Sequence, residues 1–164
     1  MSVIHTQPAN WFITTSEETP DQVFGVNFQT GTIQRIDGSK EKRTYVNFDM
    51  PPLTSIPNAT PTSTFHLVIK NPSVATGSQR LEAFTIGTPL NWESQISFNT
   101  HPFEDQDRGI YKVVSGGVSS ADSGTVLPSQ FGQAIQFVLR PEGTDDLIVL
   151  VQGPGSGVFI EVRQ

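Results

Sequence analysis

Cysteine is absent from the 164 residues of this chain. Its absence excludes a disulfide framework, a thiolate metal site and a cysteine nucleophile. Charge is also scarce, since charged residues make up 16% of the chain, against about 25% in an ordinary domain. The net charge is −6, and the basic residues form no extended cluster. We therefore expect no nucleic-acid partner and no polybasic membrane patch.

Long apolar runs are missing as well. No stretch approaches the roughly 20 apolar residues that a membrane-spanning helix needs. The first eight residues, MSVIHTQP, lack the basic and apolar regions of a secretory leader. The sequence thus predicts a soluble chain without membrane insertion, which is secreted or displayed on a cell surface only if a leader was trimmed.

Helical periodicity is missing from segments of about 10 residues or more, and at most one helical turn is expected near Pro128–Phe131. Alternating polarity is common instead. In Thr64–Lys70, for example, Phe65, Leu67 and Ile69 fall on one face of a strand. The pattern predicts an all-β fold, a two-sheet antiparallel β-sandwich of the jelly-roll type with ten to twelve short strands. We expect a single domain over residues 1–164, with residues 1–10 as an extended N-terminal arm.

The stretch Asn91–Pro102 is interpreted as the strand around which the others pair. Ile96 and Phe98 alternate with polar residues there, and Trp92 is expected to cap the core. A further strand is predicted at Val23–Phe28. The acidic segment Phe103–Gly109 and the Ser/Gly-rich segment Gly116–Gly124 are predicted to be loops.

Three motifs carry a resemblance to a known family. They are Arg43-Thr44-Tyr45-Val46-Asn47-Phe48-Asp49, the strand Thr64–Lys70, and Trp92–Asn99 followed by Pro102. In order and spacing, from about Glu17 to Val162, they resemble the DNRLRE-type jelly-roll domains and a related carbohydrate-binding module family. The chain departs from the family pattern at Phe98, which stands in the place of a second Trp, and near the C terminus, where the naming motif has no clear copy.

The resemblance implies a non-catalytic carbohydrate-binding module or small lectin, with a polysaccharide or glycan as its partner. Sugars offer apolar C–H faces to aromatic rings and hydroxyl groups to polar side chains. We expect the ligand on an outer sheet face or a loop rim. The candidate ligand-binding residues are Trp11, Arg43, Tyr45, His66 and Lys70.

The basic segment from Arg35 to Arg43 is the only concentration of positive charge in the chain. A protein of net charge −6 repels polyanions. An acidic polysaccharide is therefore expected to bind only if Arg35, Lys40, Lys42, Arg43 and Lys70 gather on one face, or if Ca²⁺ bridges the protein and the polysaccharide.

A structural Ca²⁺ is the one cofactor that the sequence suggests, and none is required. Glu104, Asp105 and Asp107 make an oxygen-rich segment, and Ca²⁺ takes six to eight oxygen ligands. The segment does not match the EF-hand pattern. A solvated acidic loop is the alternative interpretation.

Sequence motifs of enzymes are missing. There is no G-x-S-x-G, no H-E-x-x-H, no phosphate loop and no dinucleotide fingerprint. We therefore expect a protein that is not an enzyme. The alternative to glycan binding is a structural or interaction protein, such as a jelly-roll subunit of a surface assembly or virion, which would form homo-oligomers through exposed apolar surface.

Overall fold

The computed structural model describes residues 2–36, 40–75, 77–125, 132–143 and 147–164. Within these ranges the chain forms twelve strands and a single turn of 3-10 helix at Leu53–Ser55. The strands are β1 (Val3–Pro8), β2 (Trp11–Ser16), β3 (Thr30–Ile36), β4 (Lys40–Asp49), β5 (Thr64–Lys70), β6 (Ser73–Val74), β7 (Ser78–Ile86), β8 (Glu104–Val114), β9 (Val118–Thr125), β10 (Ala134–Pro141), β11 (Leu147–Val151) and β12 (Gly157–Arg163).

Two antiparallel sheets stack into the predicted β-sandwich. The small sheet has the order β1-β12-β5-β9. The large sheet has the order β6-β11-β3-β4-β10-β7-β8, with β2 paired to β4, and it curls into a half-barrel. The N-terminal segment expected as an arm contains β1, which lies against β12 as an edge strand.

The main core lies between the two sheets and follows the predicted alternation. Phe65, Leu67 and Ile69 of β5 face Val46 and Phe48 of β4 there, and all five are at most 1% exposed. Burying each such side chain contributes about 1.5–3 kcal/mol. The sandwich is therefore stabilised by the period-two pattern that the sequence shows.

The prediction of a strand in Asn91–Pro102 is wrong. This segment runs through turns and makes one isolated bridge, between Ile96 and Phe24. Trp92 is 62% exposed, so it does not cap the core. The segment lies across the large sheet and packs the Ile96 side chain against it. Its sequence therefore alternates in the way that a strand does.

Three other segments differ from prediction. Val23–Phe28 makes only isolated bridges, whereas the expected loops Phe103–Gly109 and Gly116–Gly124 largely belong to β8 and β9. Both of these strands lie at sheet edges. Their polar composition made them resemble loops. The helical turn expected at Pro128–Phe131 lies outside the described residues.

Candidate functional site

The outer face of the large sheet is not open. A second core lies on it, formed by Trp11, Ile13, Tyr45, Ile96 and Val138, each at most 6% exposed. Two long connections cover it, residues 17–29 between β2 and β3 and residues 87–103 between β7 and β8. We call them the first strap and the second strap. The expectation that this sheet face is free for recognition is therefore wrong.

The two straps are bonded to each other. Phe24 and Ile96 exchange backbone hydrogen bonds of 2.7 and 3.0 Å. The Asn99 side-chain amide donates to the Asp21 carboxylate at 2.8 Å, and the Asn99 backbone N–H donates to the Pro20 carbonyl at 3.0 Å. This bracing holds the first strap in a fixed position above the sheet.

A cleft of about 460 Å³ opens beside the first strap. The cleft lies where β3 stops pairing with β4 and begins to pair with β11. From that point along β4, the strand paired with β4 is β2 instead of β3. Most residues of the lining are of polar types, namely Thr14, Ser16, Glu18, Thr19, Gln22, Asn27, Thr30, Thr32 and Lys42, while Phe24 and Gly25 complete it. We call it the β2–β3 cleft.

One wall of the cleft is fixed by a chain of hydroxyl groups. The hydroxyls of Thr14 and Thr44 lie 2.9 Å apart, and Thr44 donates to the Thr32 carbonyl at 2.7 Å. The Thr32 N–H in turn donates to the Thr14 hydroxyl at 3.3 Å. Gly31 allows this approach, because a Cβ atom there would lie 2.7 Å from the Thr44 methyl group. The wall is therefore preorganised.

Several polar side chains of the cleft are available to a ligand. In the described part of the chain, the side chains of Gln22, Thr30 and Lys42 make no hydrogen bond or ion pair. Glu18 and Lys42 are the charged residues of the lining, and they do not pair with each other. The cleft thus offers both hydrogen-bond donors and hydrogen-bond acceptors, and the charges of Glu18 and Lys42 cancel.

A buried ion network lies beside the second core. Arg43 and Arg140 donate to Oε1 of Glu41 at 2.7 and 3.0 Å, and Arg140 also reaches Oε1 of Glu104 at 2.7 Å. Burial of the Glu41 carboxyl raises its pKa, but the two guanidinium groups outweigh burial and hold that pKa below 4.5. Glu41 is therefore a buried carboxylate that is stabilised by its arginine partners.

Aromatic rings enclose this network. The Arg43 guanidinium carbon lies 4.3 Å from the centroid of the Phe98 ring, in a cation–π contact. Burial raises the pKa of Tyr45 to about 12, while the charge of Arg43 acts in the opposite direction. These contacts fix the second strap onto β4.

Two carboxyl groups share a proton at the edge of the same face. A hydrogen bond with Asp107 raises the pKa of Glu82 to about 7, and burial and the negative charge of Asp107 add to it. The same hydrogen bond, together with one from the Gly109 N–H at 2.8 Å, lowers the pKa of Asp107. Protonated Glu82 therefore donates to the Asp107 carboxylate.

This pair predicts a titration near neutral pH. We expect the Glu82 side-chain carboxyl ¹³C resonance to titrate with a midpoint near 7, and with a midpoint moved toward 4.5 in Asp107→Ala. The folded protein binds this proton more tightly than the unfolded chain. Glu82 therefore favours folding most below pH 4.5, and this contribution is lost as the pH rises through about 7. A wild-type midpoint near 4.5 would contradict the pairing.

Three of the five predicted ligand-binding residues lie inside the molecule. Trp11 and Tyr45 belong to the second core at 5% and 1% exposure, and Arg43 is 6% exposed within the ion network. Tyr45 lies on the opposite face of β4 from Val46 and Phe48, which belong to the main core. Their rings and charge are enclosed by the straps, and none of the three residues lines the β2–β3 cleft.

The other two lie on the outer face of the small sheet. Lys70 is 3.6 Å from the Glu161 carboxylate and 4.8 Å from the centroid of the Phe159 ring. His66 is 6% exposed, and its Nε2 lies 3.1 Å from the Thr64 hydroxyl. The polar groups of this face are thus bonded to their neighbours, and the face is separate from the β2–β3 cleft.

The predicted calcium ligands do not converge. Glu104 and Asp107 belong to β8 and are bonded to Arg140 and Glu82 respectively, while Asp105 is exposed. Within the ranges that the structure describes, no group of three His, Asp or Glu side chains could hold a metal ion. Arg140 neutralises the Glu104 charge that a cation would use.

Apart from Lys42, which belongs to the basic segment, the cleft residues were not among the sequence candidates. Thr14, Gln22, Thr30 and Lys42 are common surface residue types at ordinary spacing, and they meet only because β2 displaces β3 along β4. No motif in the sequence could have revealed them.

Comparison of the sequence with known protein-family models finds no match, and comparison with curated proteins finds no significant match. Among the described residues, no helix is long and apolar enough to cross a membrane.

Proposed function

We propose that this chain is a non-catalytic carbohydrate-binding protein that holds a glycan in the β2–β3 cleft. The observation that carries the proposal is the cleft itself, about 460 Å³ in volume and lined mainly by residues that carry hydroxyl, amide or single charged groups. Pockets for small ligands measure about 300–1,000 Å³ and use a few placed polar groups for orientation. The family resemblance of the sequence motifs favours the same ligand class.

The composition of the lining favours binding over cleavage. Glycoside hydrolysis by the usual mechanisms requires two carboxyl groups that flank the scissile bond. Of the described residues that line the cleft, Glu18 alone carries a carboxyl group. One carboxylate can accept hydrogen bonds from sugar hydroxyls, but it cannot supply both of the carboxyl groups that these mechanisms use.

A glycan array followed by calorimetry tests the proposal. We expect discrete glycan hits for the full chain, and a loss of about 2- to 10-fold in affinity for each of Gln22→Ala and Thr30→Ala, which is the range expected for one hydrogen bond. Thr88→Ala, at an exposed threonine of the second strap outside the cleft, is the matched control and should bind as the wild type does.

The opposite result is also informative. If no neutral or acidic glycan on the array is bound, the proposal is wrong. Elution of the chain as an oligomer in sizing chromatography would then favour the alternative of an assembly subunit.

A further inference from the structure

A second cleft, of about 390 Å³, lies at the start of β7. Ser78, Gln79 and Arg80 of β7 line it, together with Lys112 of β8 and Gly143, which follows β10. We call it the β7–β8 cleft. Among the described residues it shares none of its lining with the β2–β3 cleft, so the two clefts are separate places on the molecule.

The strand register brings two cations together in this cleft. Arg80 of β7 lies directly opposite Lys112 of β8 in the antiparallel pair. Both residues are exposed, whereas their chain neighbours Leu81 and Tyr111 are buried in the main core. The two cations therefore extend from the same face of the sheet. Like charges at directly opposite positions destabilise a pair of strands, and an anion bound between them relieves the repulsion.

The positive charge of the cleft is only partly compensated. The Nε atom of Arg80 lies 3.0 Å from the Glu142 carboxylate. The Lys112 side chain makes no hydrogen bond or ion pair in the part of the chain that the structure describes. Glu82 is the next charged residue on this face of β7, but it is hydrogen-bonded to Asp107 and does not line the cleft. One of the two cations is therefore left to a ligand.

The other described side chains of the lining are those of Ser78 and Gln79, which are polar and uncharged. The Gln79 side-chain oxygen accepts from the Leu147 N–H at 2.6 Å, and Gln79 is 5% exposed. This bond ties the start of β7 to the start of β11 and holds one wall of the cleft in place. No described residue of the lining carries a carboxyl group, so the lining itself does not repel an anion.

We infer that the β7–β8 cleft is an anion-binding site, in which Arg80 and Lys112 hold an oxyanion group between them. A guanidinium presents paired N–H donors that match two oxygen atoms, and an ammonium adds a point charge with three donors. A doubly charged sulfate or phosphate group should bind more tightly than a singly charged carboxylate, because it attracts both cations more strongly. The site does not depend on glycan binding in the β2–β3 cleft.

An NMR titration of the full chain with sodium sulfate, at an ionic strength held constant with sodium chloride, tests the inference. We expect saturable shifts of the Arg80 side-chain Nε–H resonance and of the Arg80 and Lys112 backbone amides, and weaker binding of acetate. Lys112→Gln and Arg80→Gln should each weaken sulfate binding about 10-fold or more, as expected for the loss of a charged hydrogen bond. Glu142→Gln should tighten it about 2- to 5-fold, because an exposed ion pair that competes for Arg80 is removed.

Lys40→Gln is the matched control. Lys40 is an exposed lysine of β4 outside the cleft, so its substitution makes the same change in net charge and should leave sulfate binding unchanged. Circular dichroism should show all four variants folded. Melting temperatures cannot replace the titration, because sulfate stabilises folded proteins generally through its exclusion from their surface.

A second titration identifies the source of the oxyanion. Glucose 6-sulfate carries the same group on a sugar. Tighter binding of glucose 6-sulfate than of inorganic sulfate assigns the site to a sulfate group on a larger molecule, whereas equal or weaker binding assigns it to the free anion. Both results support the site.

The inference is overturned if the sulfate shifts do not saturate, if Lys112→Gln leaves them unchanged, or if Lys40→Gln weakens binding as much as Lys112→Gln does. Tighter binding of acetate than of sulfate overturns the preference for a doubly charged group. Each of these results leaves the proposed glycan function untouched, because neither Arg80 nor Lys112 lines the β2–β3 cleft.

Discussion

Glu41→Gln is expected to lower the free energy of unfolding by about 3–5 kcal/mol, the usual effect of removing one partner from a buried ion pair. Glu41 is 6% exposed and accepts hydrogen bonds from Arg43 and Arg140. The glutamine keeps the shape of the side chain but removes its charge. Arg43, itself 6% exposed, then remains buried without its main counter-ion. Urea unfolding followed by circular dichroism measures the difference.

The matched control is an exposed ion pair in the same sheet. Arg80 lies 3.0 Å from Glu142, and its side chain is 60% exposed. Arg80→Gln should change the free energy of unfolding by less than about 1 kcal/mol, because solvent screens such pairs. Equal effects of Glu41→Gln and Arg80→Gln would show that the buried network contributes nothing beyond a surface pair.

The same carboxylate makes stability depend on pH in the acid range. The pKa of Glu41 in the folded protein lies below its ordinary value of 4.5. Its contribution is therefore fully present above that value and is lost as the pH falls through the lowered pKa. In Glu41→Gln this part of the acid destabilisation should be missing.

Trp11→Ala is expected to cost about 3–5 kcal/mol of stability, as large-to-small substitutions of core aromatics do. Trp11 is 5% exposed and packs in the second core between the large sheet and the straps. The substitution leaves a cavity at the place where the straps are fixed. Thermal and urea unfolding of the variant measure the loss.

Trp92 is the natural control for Trp11. It is 62% exposed, so Trp92→Ala should change stability by about 0.5 kcal/mol or less. Quenching of tryptophan fluorescence by acrylamide tests the difference in exposure between Trp11 and Trp92 independently. Trp11, left alone in Trp92→Phe, should be shielded from acrylamide, whereas Trp92, left alone in Trp11→Phe, should be quenched readily. The reverse pattern would mean that the second core is not formed in solution.

Strands that are buried on one or both faces could be predicted from their residues alone. In Thr64–Lys70 the alternation of Phe65, Leu67 and Ile69 places three apolar side chains on one face, and a sheet is the structure that buries them together. Val46 and Phe48 of β4 follow the same pattern. Such strands carry their own burial pattern, so the sandwich follows from local sequence.

Segments at the edges and over the sheets could not be predicted in this way. The acidic start of β8 looks like a loop, because its sequence does not show that Glu104 pairs with Arg140 of β10 and that Asp107 is hydrogen-bonded to Glu82 of β7. The segment around Ile96 looks like a strand, because one inserted side chain copies the alternation of a strand. In both segments the structure is determined by contacts with residues that lie far away in the sequence.

The amino-acid sequence by itself determined an all-β chain with a core of alternating apolar residues, because period-two burial is a local property. The tertiary structure alone decided which surface stays accessible. The straps enclose Trp11, Arg43 and Tyr45, and the displacement of β3 by β2 opens a polar cleft between residues that the sequence keeps apart. The physical reason is that accessibility depends on what covers a side chain, and the covering segments lie far away in the sequence.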